Sequence, residues 1–278
     1  MIGAGIRARL RAIPIWQCFL GVGALLCALY LFVPPFAGAS PVMNLLGLAP
    51  VIAIVLGLHL HRPPSRGPWL WFALGFVLFW LGDIYTYSYP RIMGHEVPFP
   101  SIGDASYVLV YPALMAGLFM LVRRRNPGGD RSGAIDSLIM TIGLALISWV
   151  VLIQPSVHAD ELSLAARLVS IAYPVGDILL LAAAIRLAVD TGARRPAFYL
   201  LAASIVALLA TDFAYGVITL QGTYDGQAWL DVGWISFYLL WGAAALHPSM
   251  QELDRPAERD TRLRPMRCLL YTSDAADE

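Results

Sequence analysis

Trp80–Pro90, WLGDIYTYSYP, ends an apolar run that starts near residue 68, and its reading decides the fold. A bilayer-spanning helix takes about 20 apolar residues. This run meets that length and then places an aspartate and a row of aromatic residues in its last turns. Leu209–Thr219, LATDFAYGVIT, repeats the arrangement in the second half of the chain. A carboxylate at the bilayer centre costs about 2.5–3.5 kcal/mol on insertion scales, so such residues face the bundle interior and pair with something there. The expected fold is an all-α polytopic membrane bundle with polar residues on its inside.

Composition agrees. The 278 residues are 58% hydrophobic and 14% charged, against about 25% charged in an ordinary soluble domain. Apolar runs of spanning length recur at approximately 14–33, 42–60, 68–88, 105–122, 134–153, 166–189, 197–219 and 228–246, which predicts eight transmembrane helices. The first run exceeds the usual signal-peptide core of about 7–15 residues, so it reads as a retained helix.

All 19 basic residues are arginine. A lysine Schiff base, and with it a retinal chromophore in this chain, is thereby excluded. Cys18 and Cys27 lie along one predicted helix, too far apart to bridge. Arg7, Arg9 and Arg11 precede the first segment. Arg62 and Arg66 follow the second, Arg123, Arg124, Arg125 and Arg131 the fourth, and Arg194 and Arg195 the sixth. Arg255, Arg259, Arg262 and Arg264 follow the eighth, whereas the alternate loops carry little beyond Arg91 and Arg167. The arginine bias places both termini in the cytoplasm. The expected organisation is a cytoplasmic N-terminus (1–13), a membrane bundle (14–247), a cytoplasmic linker (248–267) and a distinct tail (268–278).

A longer repeat accompanies the echoed motif. Asp83 and Tyr85 are followed by a loop and then Asp104, Tyr107 and Tyr111. Asp212 and Tyr215 are followed by a loop and then Asp231, Trp234 and Tyr238. Both triplets have i, i+3, i+7 spacing, which is one face of a helix. Pro50 and Pro174 occupy similar places in segments two and six. With four segments per half, the halves would form two parallel repeats.

Asp83, Asp104, Asp212 and Asp231 are expected toward the extracytoplasmic side, with Asp177 of AYPVGDILLL deeper and Tyr173 one turn before it. One reading is a polar, aromatic-lined cavity of Asp83, Asp104, Tyr107, Tyr111, Asp177, Asp212, Tyr215, Asp231, Trp234 and Tyr238. Carboxylates beside aromatic faces suit a small or cationic ligand. The other reading is structural: helix caps, the aromatic belt, and aspartates meeting helix dipoles at the starts of segments four and eight. His59, His61 and His247 fall at cytoplasmic helix ends. His95 with Glu96, and His158 with Asp160 and Glu161, lie in outer loops without the spacing of a metal motif. No nucleophile–base pair, cofactor motif or nucleic-acid surface is recognisable.

Three stretches, FPSIGDASYVLVYPALMAGLFMLVRRR (99–125), AYPVGDILLL (172–181) and LDVGWISFYLLWGAAALHPSM (230–250), resemble the N-terminal membrane region of bacterial, especially actinobacterial, GGDEF and EAL proteins. The resemblance covers about residues 40–250. It implies a membrane input region that precedes cytoplasmic domains making or degrading cyclic di-GMP. Neither a GGDEF nor an EAL motif is present, so no catalytic residue is carried over. CLLYTSDAADE (268–278) resembles translated sequencing-adapter DNA, and the native chain is expected to depart near Arg267. Without Asp274, Asp277 and Glu278 the arginines outnumber the acids by three.

These readings lead to a sensory region in the inner membrane of a bacterium, with no enzymatic role of its own. Its expected partners are the bilayer, a small ligand, an output domain in cis and a second copy of the chain. The alternatives are a small-solute transporter with intramembrane carboxylates and a ligand-free anchor.

Overall fold

A computed structural model describes residues 14–32, 39–126, 131–159, 161–189, 194–224, 226 and 228–255, the side chains of 39, 40, 131 and 132 excepted. The expected 1–13 segment, Asp160, the side chain of Arg131, Arg259, Arg262, Arg264 and the 268–278 tail lie outside the described residues. The described part is all-α, without a β-strand, and eight of its helices are long and apolar enough to cross a membrane.

In chain order the helices are α1 (Ile15–Phe32), α2 (Ala39–His61), α3 (Gly67–Met93), α4 (Ile102–Arg125), α5 (Arg131–Ser148), α6 (Gln154–Val157), α7 (Leu164–Val189), α8 (Pro196–Leu220) and α9 (Ala228–Leu246). A π-helical turn, Trp149–Ile153, joins α5 to the short α6, and a 3-10 turn, Pro248–Glu252, follows α9. The eight predicted segments fall on α1–α5 and α7–α9.

Where the boundaries differ, local chemistry supplies the reason. α3 runs on to Met93 because its stop is Gly94, whose φ of 74° is left-handed and whose N–H returns to the Pro90 carbonyl. α4 begins at Ile102, ahead of the apolar run. The Ser101 side chain accepts from the Asp104 N–H while the Asp104 carboxylate accepts from the Ser101 N–H, a reciprocal capping box. The π turn lies just before Pro155, whose missing N–H removes one rung of the α ladder.

α2, α3, α4, α7, α8 and α9 neighbour one another in that order, and the ring closes where α9 meets α2. α1 lies outside against α9 and α2, and α5 lies outside against α7. Burial follows this layout: 61% of the α9 span is buried but only 11% of α1. Aromatic side chains fill the ring between α3 and α9. Phe76 stacks on Phe237 with centroids 4.9 Å apart, and Phe72 meets Trp241 edge-on at 4.8 Å. Such pairs contribute about 0.5–1.5 kcal/mol each beyond area burial. The apolar residues left outward, such as Ile135, Leu138, Ile139 and Ile142 of α5, present the surface that a bilayer would cover.

At the arginine-bearing end the chain after α9 does not leave the bundle. Arg125 Nε donates to the Leu253 carbonyl at 2.6 Å, and Arg195 pairs with Glu252 at 2.9 Å. The Ala197 N–H donates to Ser249 Oγ at 3.1 Å, and His61 Nε2 lies 2.9 Å from the Leu246 carbonyl. Residues 247–255 thus form a strap across the ends of α2, α4 and α8. This is the first part of the expected linker.

Candidate functional site

The carboxylates and aromatic residues singled out by the sequence assemble between the middle of the bundle and the end away from the strap. Asp83 on α3 is 2% exposed. It accepts from the Tyr107 hydroxyl at 2.9 Å on one oxygen and from the Tyr238 hydroxyl at 2.6 Å on the other. Asp212 on α8 accepts from Trp234 Nε1 at 2.8 Å and from the Tyr111 hydroxyl at 3.3 Å. The same Tyr111 hydroxyl lies 2.9 Å from Asp177 on α7, so one phenol spans two carboxyl groups.

Asp83 and Asp212 are bound in a reciprocal pattern. Each takes one donor from the following helix, Tyr107 of α4 or Trp234 of α9, and these hold matching places in their triplets. Each takes its second donor from the other half of the chain: Tyr238 of α9 reaches Asp83, and Tyr111 of α4 reaches Asp212. Glycine makes the close approach of the tyrosine rings feasible. A Cβ on Gly82 would lie 2.5 Å from the Tyr107 ring, and one on Gly176 would lie 2.6 Å from Tyr111 Cγ.

The remaining two aspartates sit at the starts of their helices. Asp231 on α9 accepts from Tyr30 of α1 at 2.5 Å and from Tyr87 of α3 at 2.6 Å. Asp104 serves the capping box with Ser101 on one oxygen and accepts from Tyr173 of α7 at 2.9 Å on the other. Asp104 therefore combines the structural reading with an interhelical tie.

The aligned triplet faces are both used. Tyr215 plays a different part: its ring meets those of Trp234 and Tyr224 edge-on, at 5.7 and 5.1 Å. The Tyr85 ring lies tilted against Tyr89, whereas Tyr87, one turn beyond Asp83, crosses to Asp231. Tyr30 and Tyr87 were not among the candidates. The sequence signal for Tyr30 is a lone hydroxyl in the otherwise apolar last turns of α1, and for Tyr87 it is the i+4 spacing from Asp83.

Chemically, these partners are hydroxyls, an indole N–H and a backbone N–H, and none is a cation. An ionised carboxylate is an acceptor only, so each contact is a donor meeting its complement, except that the single Tyr111 proton serves one of Asp177 and Asp212 at a time. Hydrogen bonds to charged groups contribute about 1.5–3 kcal/mol. They offset part of the cost of holding acids inside apolar surroundings. Among the described residues, no cluster of three or more His, Cys, Asp or Glu side chains could hold a metal ion. Cys18 and Cys27 are free thiols.

No family model, no curated protein and no solved structure matches this chain.

Proposed function

We propose that the chain is the membrane input region of a bacterial signalling protein of the GGDEF/EAL class, with its arginine-rich end in the cytoplasm and cyclic di-GMP turnover carried out by domains beyond it. The observation that carries this reading is the strap. A segment stitched to the ends of α4 and α8 by side-chain and backbone hydrogen bonds, starting where His61 of α2 meets the last carbonyl of α9, suits a joint through which helix movement reaches a following domain. The resemblance of residues 99–125, 172–181 and 230–250 points the same way.

On this reading the bundle is a duplicated four-helix unit. The reciprocal bonds of Asp83 and Asp212 are the contacts by which its halves are held in one of two packings. A stimulus that engages these acids differently in the two packings shifts the balance between them. A small cationic molecule meets that requirement.

The test is a long read through the gene beyond the codon for Arg267, followed by cellular cyclic di-GMP measurements on the complete protein carrying Asp83→Asn or Asp212→Asn. A frame running into GGDEF or EAL motifs, with cyclic di-GMP altered by these changes, is the expected result. Normal signalling by both variants would instead make the bundle a ligand-free anchor. A second reading, a small-solute transporter, is favoured by the Asp177–Tyr111–Asp212 bridge, which sets two acids around one hydroxyl in mid-bundle. It predicts solute flux in vesicles by this chain alone, abolished by Asp177→Asn.

A further inference from the structure

The first residue of the strap is held by a hydrogen bond that works in one protonation state only. His247 follows α9 and caps the 3-10 turn: its Nδ1 accepts from the Ser249 backbone N–H at 3.1 Å. A backbone N–H can donate but never accept. Nδ1 must therefore carry its lone pair, and the ring is neutral with its proton on Nε2. Ser249 Oγ lies 2.8 Å from the same Nδ1 and itself accepts from the Ala197 N–H at 3.1 Å. Arg195, the N-cap residue of α8, supplies no side-chain cap, so the strap serine caps that helix from outside. One imidazole lone pair thus organises a relay from the turn after α9 to the N-terminus of α8.

We propose that His247 is a proton-operated catch, which holds the rest of the strap, 248–255, to the bundle when neutral and releases it when protonated. A proton on Nδ1 would turn to Ser249 Oγ, 2.8 Å away, and leave the Ser249 N–H without its acceptor, so the cap is lost. The proposal goes beyond the signalling reading and stands whether or not the chain is a sensor.

The other groups around the ring do not mimic this response. His61 of α2 meets the Leu246 carbonyl through Nε2, and a protonated His61 would still donate there. Glu252 of the strap is paired with Arg195. Trp16 of α1 covers the ring with centroids 5.2 Å apart and does not titrate. Asp254, further along the strap, is raised from its ordinary value of 3.8 by burial, so its protonation favours docking, the opposite sense. Burial first, and then the neighbouring His61, lower His247 from its ordinary 6.5, with Glu252 acting the other way. A group whose pKa is lower in the docked state docks best without its proton. Docking is therefore complete above the ordinary imidazole value and is lost as pH falls below it.

The experiment uses the full chain in lipid nanodiscs. Cys18, Cys27 and Cys268 are replaced by serine, and spin labels are placed at the exposed positions Arg194 and Arg255. The wild-type background is expected to give a narrow label–label distance distribution at about pH 7.5 and a broad one at about pH 5.5, with the released fraction rising about tenfold. His247→Asn keeps an acceptor for the Ser249 N–H without a titrating group, and should stay narrow at both pH values. His247→Ala should be broad at both, and His61→Gln should keep the wild-type pH response. Nitrogen NMR of labelled histidine should show an unprotonated Nδ1 at the higher pH. A wild-type distribution indifferent to pH would overturn the proposal. So would a His247→Asn protein that opens in acid like the parent, or an Nδ1 that carries a proton in the docked state.

Discussion

The Tyr238 hydroxyl donates to Asp83 Oδ2 at 2.6 Å across 155 residues of sequence, joining the last long helix to the third inside the ring. Among the described residues no cation lies beside Asp83. Its two phenol donors, Tyr107 and Tyr238, take the place of water that an apolar interior does not supply. On the other side of the ring the single Tyr111 hydroxyl lies between Asp177 and Asp212 and donates to one of them at a time.

Tyr238→Phe removes that donor while keeping the ring that packs against Phe76 and Phe79. The expected loss is about 1–2 kcal/mol, between the cost of leaving a buried charged acceptor short of a partner and the smaller values found for hydrogen bonds within membranes. Reversible unfolding in detergent micelles reads it. A double-mutant cycle with Asp83→Ala should return a coupling energy above about 0.5 kcal/mol, and additivity would mean the two groups do not interact.

Gly176→Ala tests the seat of Tyr111. The new methyl would fall 2.6 Å from Tyr111 Cγ, near the root of the side chain where the ring cannot swing clear. Overpacking of this kind costs about 1–3 kcal/mol, and here it also displaces the hydroxyl from Asp177 and Asp212. Gly21→Ala on α1, where a methyl would meet nothing within 4 Å, is the matched control and should be neutral or slightly stabilising in the same unfolding assay.

Ser101→Ala removes one arm of the capping box at the start of α4. The expected cost is about 1 kcal/mol. Because Asp104 also accepts from Tyr173, the loss should grow when Tyr173→Phe is added, by more than the two single effects together. Thermal unfolding of the four proteins decides this.

Asp254 is buried with neither carboxylate oxygen in a hydrogen bond of full geometry. Burial raises its pKa, and nearby backbone N–H groups, Arg124 and Arg255 offset that only in part. A carboxyl whose pKa is higher in the docked state docks better with its proton on, so the charged form weakens docking at neutral pH. Asp254→Asn should hold the strap more tightly at about pH 7 than the parent does. It should also lack the parent's gain in docking as pH falls toward the ordinary carboxylate range of about 4. The Arg194–Arg255 label distance measures both effects.

The eight long helices were legible because apolar runs of bilayer length leave the backbone one economical way to satisfy its own polar groups, the i to i−4 ladder. The two triplets, Asp104–Tyr107–Tyr111 and Asp231–Trp234–Tyr238, were legible as helix faces by the same periodicity. Partner choice was not. Periodicity aligns Tyr111 with Tyr107 on one face of α4. Which acid each hydroxyl reaches depends on which helices are neighbours and how each is rotated about its axis. Tertiary packing sets both, including the space left at Gly82 and Gly176. Tyr87 serves Asp231 rather than its own helix's Asp83 for that reason, and Tyr30 enters the network only because α1 lies against α9.

The strap shows the same division. From composition alone, 248–255 is a short, polar, proline-containing stretch that reads as the start of a linker. Its structure comes from single contacts to Arg125, Arg195 and Ala197, residues distant in sequence that meet only when the bundle closes. The sequence by itself determined which segments are helical and which acids lie within them, because those depend on local length and hydropathy. The tertiary structure alone decided which donor answers each acid, because a hydrogen bond between helices depends on atoms brought together to within about 3 Å by packing.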